Sequence, residues 1–183
     1  AENAKWDYEM TSALTRRGAD IYAGKKKSIT NFVGDKNEEV SDHTIVFDSR
    51  GLAPASNSVF LYNVWTDANM NGLIDANEVR QERASSGGAY VSNEAMYAVE
   101  TRKGGTAGFG AVLSKTWYAD RRDFNQNGDY ELTELVDKGE ELADYTFSYR
   151  EDGSARNNSR SFYYDLSSSM DNCSAWETGV DAI

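Results

Sequence analysis

Two stretches of twelve residues constrain this chain more than any other feature. The first is Asp67-Ala-Asn-Met-Asn-Gly-Leu-Ile-Asp-Ala-Asn-Glu78 and the second is Asp123-Phe-Asn-Gln-Asn-Gly-Asp-Tyr-Glu-Leu-Thr-Glu134. Each sets oxygen-bearing side chains at positions 1, 3, 5, 9 and 12. These are Asp67, Asn69, Asn71, Asp75 and Glu78, then Asp123, Asn125, Asn127, Glu131 and Glu134. Gly72 and Gly128 stand at position 6, where the chain must turn sharply. Alternate residues of a tightly wound loop point inward, so these oxygens converge. The main-chain carbonyl of position 7, Leu73 or Asp129, adds another. A hard cation that takes about six to eight oxygens at about 2.3–2.6 Å fits such a shell, with both oxygens of the last Glu closing it. The spacing is that of a calcium loop. A pair of Asn/Gly turns on an acidic surface explains the turns but not a Glu at position 12 both times.

The charge balance agrees. A net charge of −11 argues against nucleic acid or an anionic membrane as partner. Each loop brings three carboxylates to ligand positions, and these repel one another until a cation fills the site. Two Ca2+ ions are therefore expected to stabilise the fold by binding the native state alone. The single cysteine, Cys173, permits no internal disulfide and forms neither a redox motif nor a zinc site. No apolar run is long enough to span a bilayer. The chain opens on Ala1, which is expected of a processed or trimmed product.

Residues 4–22 read as a helix. Trp6, Met10, Ala13, Leu14 and Ile21 recur at helical spacing, and Lys5, Asp7, Glu9, Arg16 and Asp20 cover the other face. Gly24 stops it, and Lys25, Lys26 and Lys27 follow as a solvated basic turn. Residues 28–41 read as an exposed connection. His43–Phe47 and Ser58–Trp65 read as strands joined by a turn at Asp48–Gly51. Val79-Arg-Gln-Glu-Arg83 has no apolar helical stripe, so the first loop is expected to sit on a sheet rather than between two helices. Residues 111–119 fit strand or helix. Gly104–Gly110 lacks the spacing of a dinucleotide loop and reads as a turn. Residues 44–64 align without gaps on 146–166, with identical pairs Thr44/Thr146, Gly51/Gly153, Ala53/Ala155, Phe60/Phe162 and Tyr62/Tyr164. Both segments read as strand, glycine turn, strand.

The expected architecture is a single α+β domain over 1–183. Its N-terminal helix and basic turn occupy 1–27 and pack on antiparallel sheet. A mainly β headgroup occupies 28–183, with both calcium loops between sheet elements. The helix followed by Thr-Ile-Val-Phe-Asp-Ser-Arg-Gly-Leu-Ala, together with the Asp-x-Asn-x-Asn-Gly loop, resembles the headgroups of minor type IV pilins and minor pseudopilins of type II secretion. That resemblance implies an exported structural subunit of a surface filament or secretion system. Its partners would be other filament subunits or a surface ligand, and any membrane contact would run through a removed N-terminal helix. The chain's length, its second loop and the order of its hairpin depart from that pattern.

A secreted calcium-stabilised adhesion module needs only the loops, the sheet and the acidic surface, and it too places the chain at the cell surface, outside the cell or in the periplasm. An EF-hand sensor or buffer would require amphipathic helices on both sides of each loop and a Met-rich groove. No catalytic set emerges. His43 is the one histidine and has no Ser or Cys beside it in sequence, so it reads as a surface or capping residue. The carboxylates that might serve a glycosidase already belong to the loops.

Overall fold

The computed structural model describes residues 9–20, 22–73, 78–87, 95–119, 138–139, 141–160, 162–164 and 172–174. Nine strands form one antiparallel sheet: β1 (Ser12–Arg17), β2 (Lys25–Val33), β3 (Val40–Phe47), β4 (Pro54–Trp65), β5 (Val79–Arg83), β6 (Met96–Lys103), β7 (Val112–Ala119), β8 (Leu142–Tyr149) and β9 (Ala155–Arg160). Strands β10 (Phe162–Tyr164) and β11 (Asn172–Ser174) pair separately. The order across the sheet is β1-β2-β3-β4-β6-β7-β8-β9. Leu61 of β4 pairs with Ala98 of β6 on one side and with Arg83 of β5 on the other. Strand β5 therefore continues the edge of β4 that β3 leaves at Val59.

This overturns the expected α+β fold. The stretch read as a helix yields β1 over Ser12–Arg17, paired with β2 from Ser12↔Asn31 to Arg17↔Lys25. Two physical reasons account for the difference. Gly18 takes φ +99, which no right-handed helix continues through. Of the apolar stripe, Met10 and Leu14 also stay 47% and 45% exposed, so burial gives a helix little support there. Hydrogen bonding to β2 outweighs a weak helical propensity. The basic turn opens β2, and most of the expected connection over 28–41 is the body of β2 and the start of β3. Among the described residues the longest helical segment is one turn, α1 (Ala84–Gly87).

The core is small. Val40, Tyr62, Val64 and Ala84 are buried, and Val33, Phe60 and Met96 pack against them. Here α1 covers the end of the sheet where β4 outruns β3. The sheet curls over this cluster. Lys138, just before β8, donates to the carbonyls of Glu38 and Glu39 between β2 and β3, and Glu141 accepts from the amide of Met96. Strands four places apart in the order are thereby brought together at one end.

Elsewhere the strands are held by short polar pairs. Thr30–Thr44 and Thr116–Thr146 hydroxyls meet at 2.8 Å, and Ser58–Thr101 at 2.9 Å. Residues 104–111, joining β6 to β7, fold onto Asn57. This fully buried amide donates to the carbonyls of Gly104 (3.0 Å) and Phe109 (3.2 Å) and accepts from the Gly108 amide (3.1 Å).

The duplication read from 44–64 and 146–166 extends to a three-strand unit. In β2–β3–β4 an extra residue, Asp42, bulges between the pairs Asn31↔His43 and Phe32↔Ser41. In β7–β8–β9 Asp144 bulges the same way between Trp117↔Tyr145 and Tyr118↔Ala143. Two residues on, each unit makes its Thr–Thr contact. A second bulge follows at Val46/Phe47 and at Ser148/Tyr149. Gly51 (φ +73) and Gly153 (φ +82) take the left-handed position in the two turns. The second turn is one residue shorter, so the equivalents of Asn57 and Ser58 are Asn158 and Ser159 rather than the residues a gapless alignment pairs.

Candidate metal site

The first loop closes a hairpin. Trp65 pairs with Val79, and the Thr66 amide donates to the Glu78 carbonyl at 3.2 Å. The loop of twelve, 67–78, is thus tied at both ends by sheet. Met70 (φ +57) and Gly72 (φ +79) wind the chain through left-handed positions. The winding turns successive amides toward the side chains of the loop. Asp67 accepts from Asn71 and Gly72, each at 3.1 Å and through different carboxylate oxygens. Asn69 accepts from the Asn71 amide at 3.0 Å, and Asn71 from the Leu73 amide at 2.8 Å. Glu78 reaches back across the loop and accepts from the amides of Ala68 (2.8 Å) and Asn69 (3.3 Å).

The side chains at positions 1, 3, 5 and 12 are thus each held by amides of the same loop. Each oxygen that accepts one N–H keeps lone-pair capacity for a cation. Glu78 is only 9% exposed. Burial of a charge is costly unless it is paired or coordinates a metal. Asp75, the loop's third carboxylate, lies outside the described residues. Among the described residues no three His, Cys, Asp or Glu side chains gather as a metal cluster. Asp67 and Glu78 are the two loop carboxylates that are described; Asn69, Asn71 and the Leu73 carbonyl complete that part of the set.

The second loop, Asp123, Asn125, Asn127, Asp129, Glu131 and Glu134, lies entirely outside the described residues. Its frame does not. Strands β7 and β8 pair through Ala119↔Leu142, so this loop also connects neighbouring antiparallel strands. Because β4 is antiparallel to β6 and β6 to β7, strands β4 and β7 run the same way. Both loops leave the sheet at the same end, the end where Lys138 crosses to Glu38 and Glu39.

A second polar cluster was not legible in the sequence. Asp42 is 3% exposed. It accepts from His43 Nδ1 (2.7 Å), Arg83 (2.5 Å) and the Ser85 amide (3.0 Å). Burial alone would raise the Asp42 carboxyl, but the bonds from His43, Ser85 and Arg83 outweigh it and hold the group at about 2. His43 Nε2 meets the Asn31 amide nitrogen at 2.9 Å, so both ring nitrogens are engaged. The cluster braces the junction of β3, β5 and α1. The sequence did carry one trace of it: Asp and His adjacent in a strand are both turned to one side when the first of them bulges.

Compared with known proteins, the chain matches no family model, no curated sequence and no solved structure.

Proposed function

We propose that this chain is a calcium-stabilised β module that serves as a structural or adhesive subunit outside the cell, binding one Ca2+ in each loop. The observation that carries this reading is the first loop, where the side chains of Asp67, Asn69, Asn71 and Glu78 are all held by the loop's own amides. The ligands for the first ion are these four with Asp75 and the Leu73 carbonyl. For the second they are Asp123, Asn125, Asn127, Asp129, Glu131 and Glu134. Asn at positions 3 and 5 lowers the ligand charge, which suits the weak sites, about 10⁻⁴–10⁻³ M, of extracellular modules. A sensor swings helices about its loop, whereas the first loop here is flanked by β4 and β5. Filament assembly in the manner of pilins rests on an N-terminal helix, and the described part of that stretch holds strand β1 instead. The proposal accordingly needs no filament.

The test is a thermal melt followed by circular dichroism, with millimolar Ca2+ and with chelator. At a Ca2+ concentration ten times Kd, each site adds about 1.4 kcal/mol. The expected result is a melting temperature several degrees higher in Ca2+ with an unchanged β spectrum. Glu78→Gln should lose about half of that rise. A gain of helix on adding Ca2+, or no response, overturns the reading.

A further inference from the structure

The two three-strand units differ in what lies beyond their third strand. In the first unit β4 pairs with β6, and the chain that leaves β6 folds back so that Asn57 holds its turn by two carbonyls and one amide. In the second unit the equivalent strand is β9, the last in the sheet order. Among the described residues no strand pairs with its outer edge. The equivalent amide, Asn158, is exposed and lines a cavity of about 350 Å³ together with Asp144, Tyr145, Phe147 and Ser159. Asp144 reaches the same cavity as Tyr145 because it is the bulged residue of β8. At Asn57 this place is taken by the protein's own backbone; at Asn158 no described residue takes it.

We propose that the β9 edge and this cavity form a docking site for an extended peptide that ends in a glycine-rich turn. The incoming strand takes the place that β6 takes beside β4, so its backbone N–H and C=O groups pair with β9. Asn158 then grips the turn by carbonyl and amide, as Asn57 does. Tyr145 and Phe147 form the apolar wall against which a side chain of the peptide packs. Charge selects among peptides. Strand β9 carries Arg156 and Arg160 with no acidic residue, and the position equivalent to Arg160 is Val59, whose partner on β6 is Glu100. Opposite Arg160 an acidic or neutral residue is favoured and a basic one disfavoured. This inference rests on the register of the two units and is independent of calcium.

The probe is a synthetic peptide with the sequence of residues 96–110 of this chain, the segment that already fits the first unit. It is titrated calorimetrically into the intact protein in Ca2+. The expected result is saturable binding that falls at least tenfold in Asn158→Ala and in a peptide whose Val99 and Thr101 positions are proline. Asn158 is exposed, so the variant should keep the parent melting temperature, which is measured alongside. A Glu100→Lys peptide should bind more weakly than the parent peptide. Failure of the peptide to bind at millimolar concentration overturns the proposal. So does binding that Asn158→Ala or the proline peptide leaves unchanged.

Discussion

At the scale of single residues, the buried carboxylate of Asp42 is the group whose chemistry most directly touches stability. Its folded value near 2 lies below the ordinary 3.8. A depressed carboxylate contributes stability that is present above the unfolded value and is lost as pH falls through the folded one. The contribution is about 2 kcal/mol, and it should disappear between about pH 4 and pH 2. Asp42→Asn should flatten that part of an acid-unfolding curve followed by tryptophan fluorescence. If the variant and parent curves stay parallel from pH 4 to pH 2, the three bonds to Asp42 are not those of the folded protein in solution. Asp67 and Glu78 stand out in the sequence because their partners lie within one loop and the spacing itself is the signal. Asp42 and Asn57 do not, because Arg83 is 41 positions from Asp42 and Gly104 is 47 from Asn57. An isolated polar residue in a strand gives no indication of which distant backbone it will meet.

At the scale of elements, the turns show how local chemistry sets a register. Gly110 takes φ +99, and a Cβ there would lie 2.0 Å from the Lys103 carbonyl oxygen. Gly153 takes φ +82, but a Cβ there would meet nothing within 4 Å. Gly153→Ala should therefore cost only the backbone strain, about 1 kcal/mol, while Gly110→Ala should cost at least about 3 kcal/mol because the turn must open. Urea unfolding of the two variants gives the comparison, and equal losses would mean that contact at Gly110 is relieved at no cost. The hairpins around Gly51 and Gly153 were readable. His43–Phe47, Ser58–Trp65 and the glycine turns carry β-branched residues, alternation and punctuation in one place. The segment before them was not, since Met10, Ala13 and Leu14 fit a helical stripe as well as a strand. What decided between the two was β2, whose own Ser-Ile-Thr-Asn-Phe-Val run reads as polar until it is seen paired on both sides. The gapless match of the two hairpins was right for β3 and β8. It slipped by one for β4 and β9, since one missing turn residue shifts everything after it.

At the scale of the molecule, the charges are unevenly placed. The chain carries −11 overall, yet the two outermost strands of the sheet, Ser12–Arg17 and Ala155–Arg160, each bear two arginines and no acid. Like charges on the two edge strands oppose joining one copy's β1 to another's β9. Replacing Arg16, Arg17 and Arg156 with Thr should raise self-association, read as a concentration-dependent increase in sedimentation coefficient; an unchanged monomer would show that the arginines are not what keeps the edges apart.

The two ends of the sheet are also closed by different means. At the end away from the loops every turn is fastened by the chain itself: Asp20 accepts from Tyr22 and Ala23, Asp48 from Leu52, Asp152 from Ser154, and Asn57 clasps 104–110. At the other end β4 and β7 run out toward the two acidic loops, and Lys138 crosses there. On the proposed reading, one rim has its stiffness written into the sequence and the opposite rim borrows it from the surrounding fluid. The ionic content of the medium would then set how far the sheet uncurls under load, and the module would be a spring with one clamped side and one adjustable side.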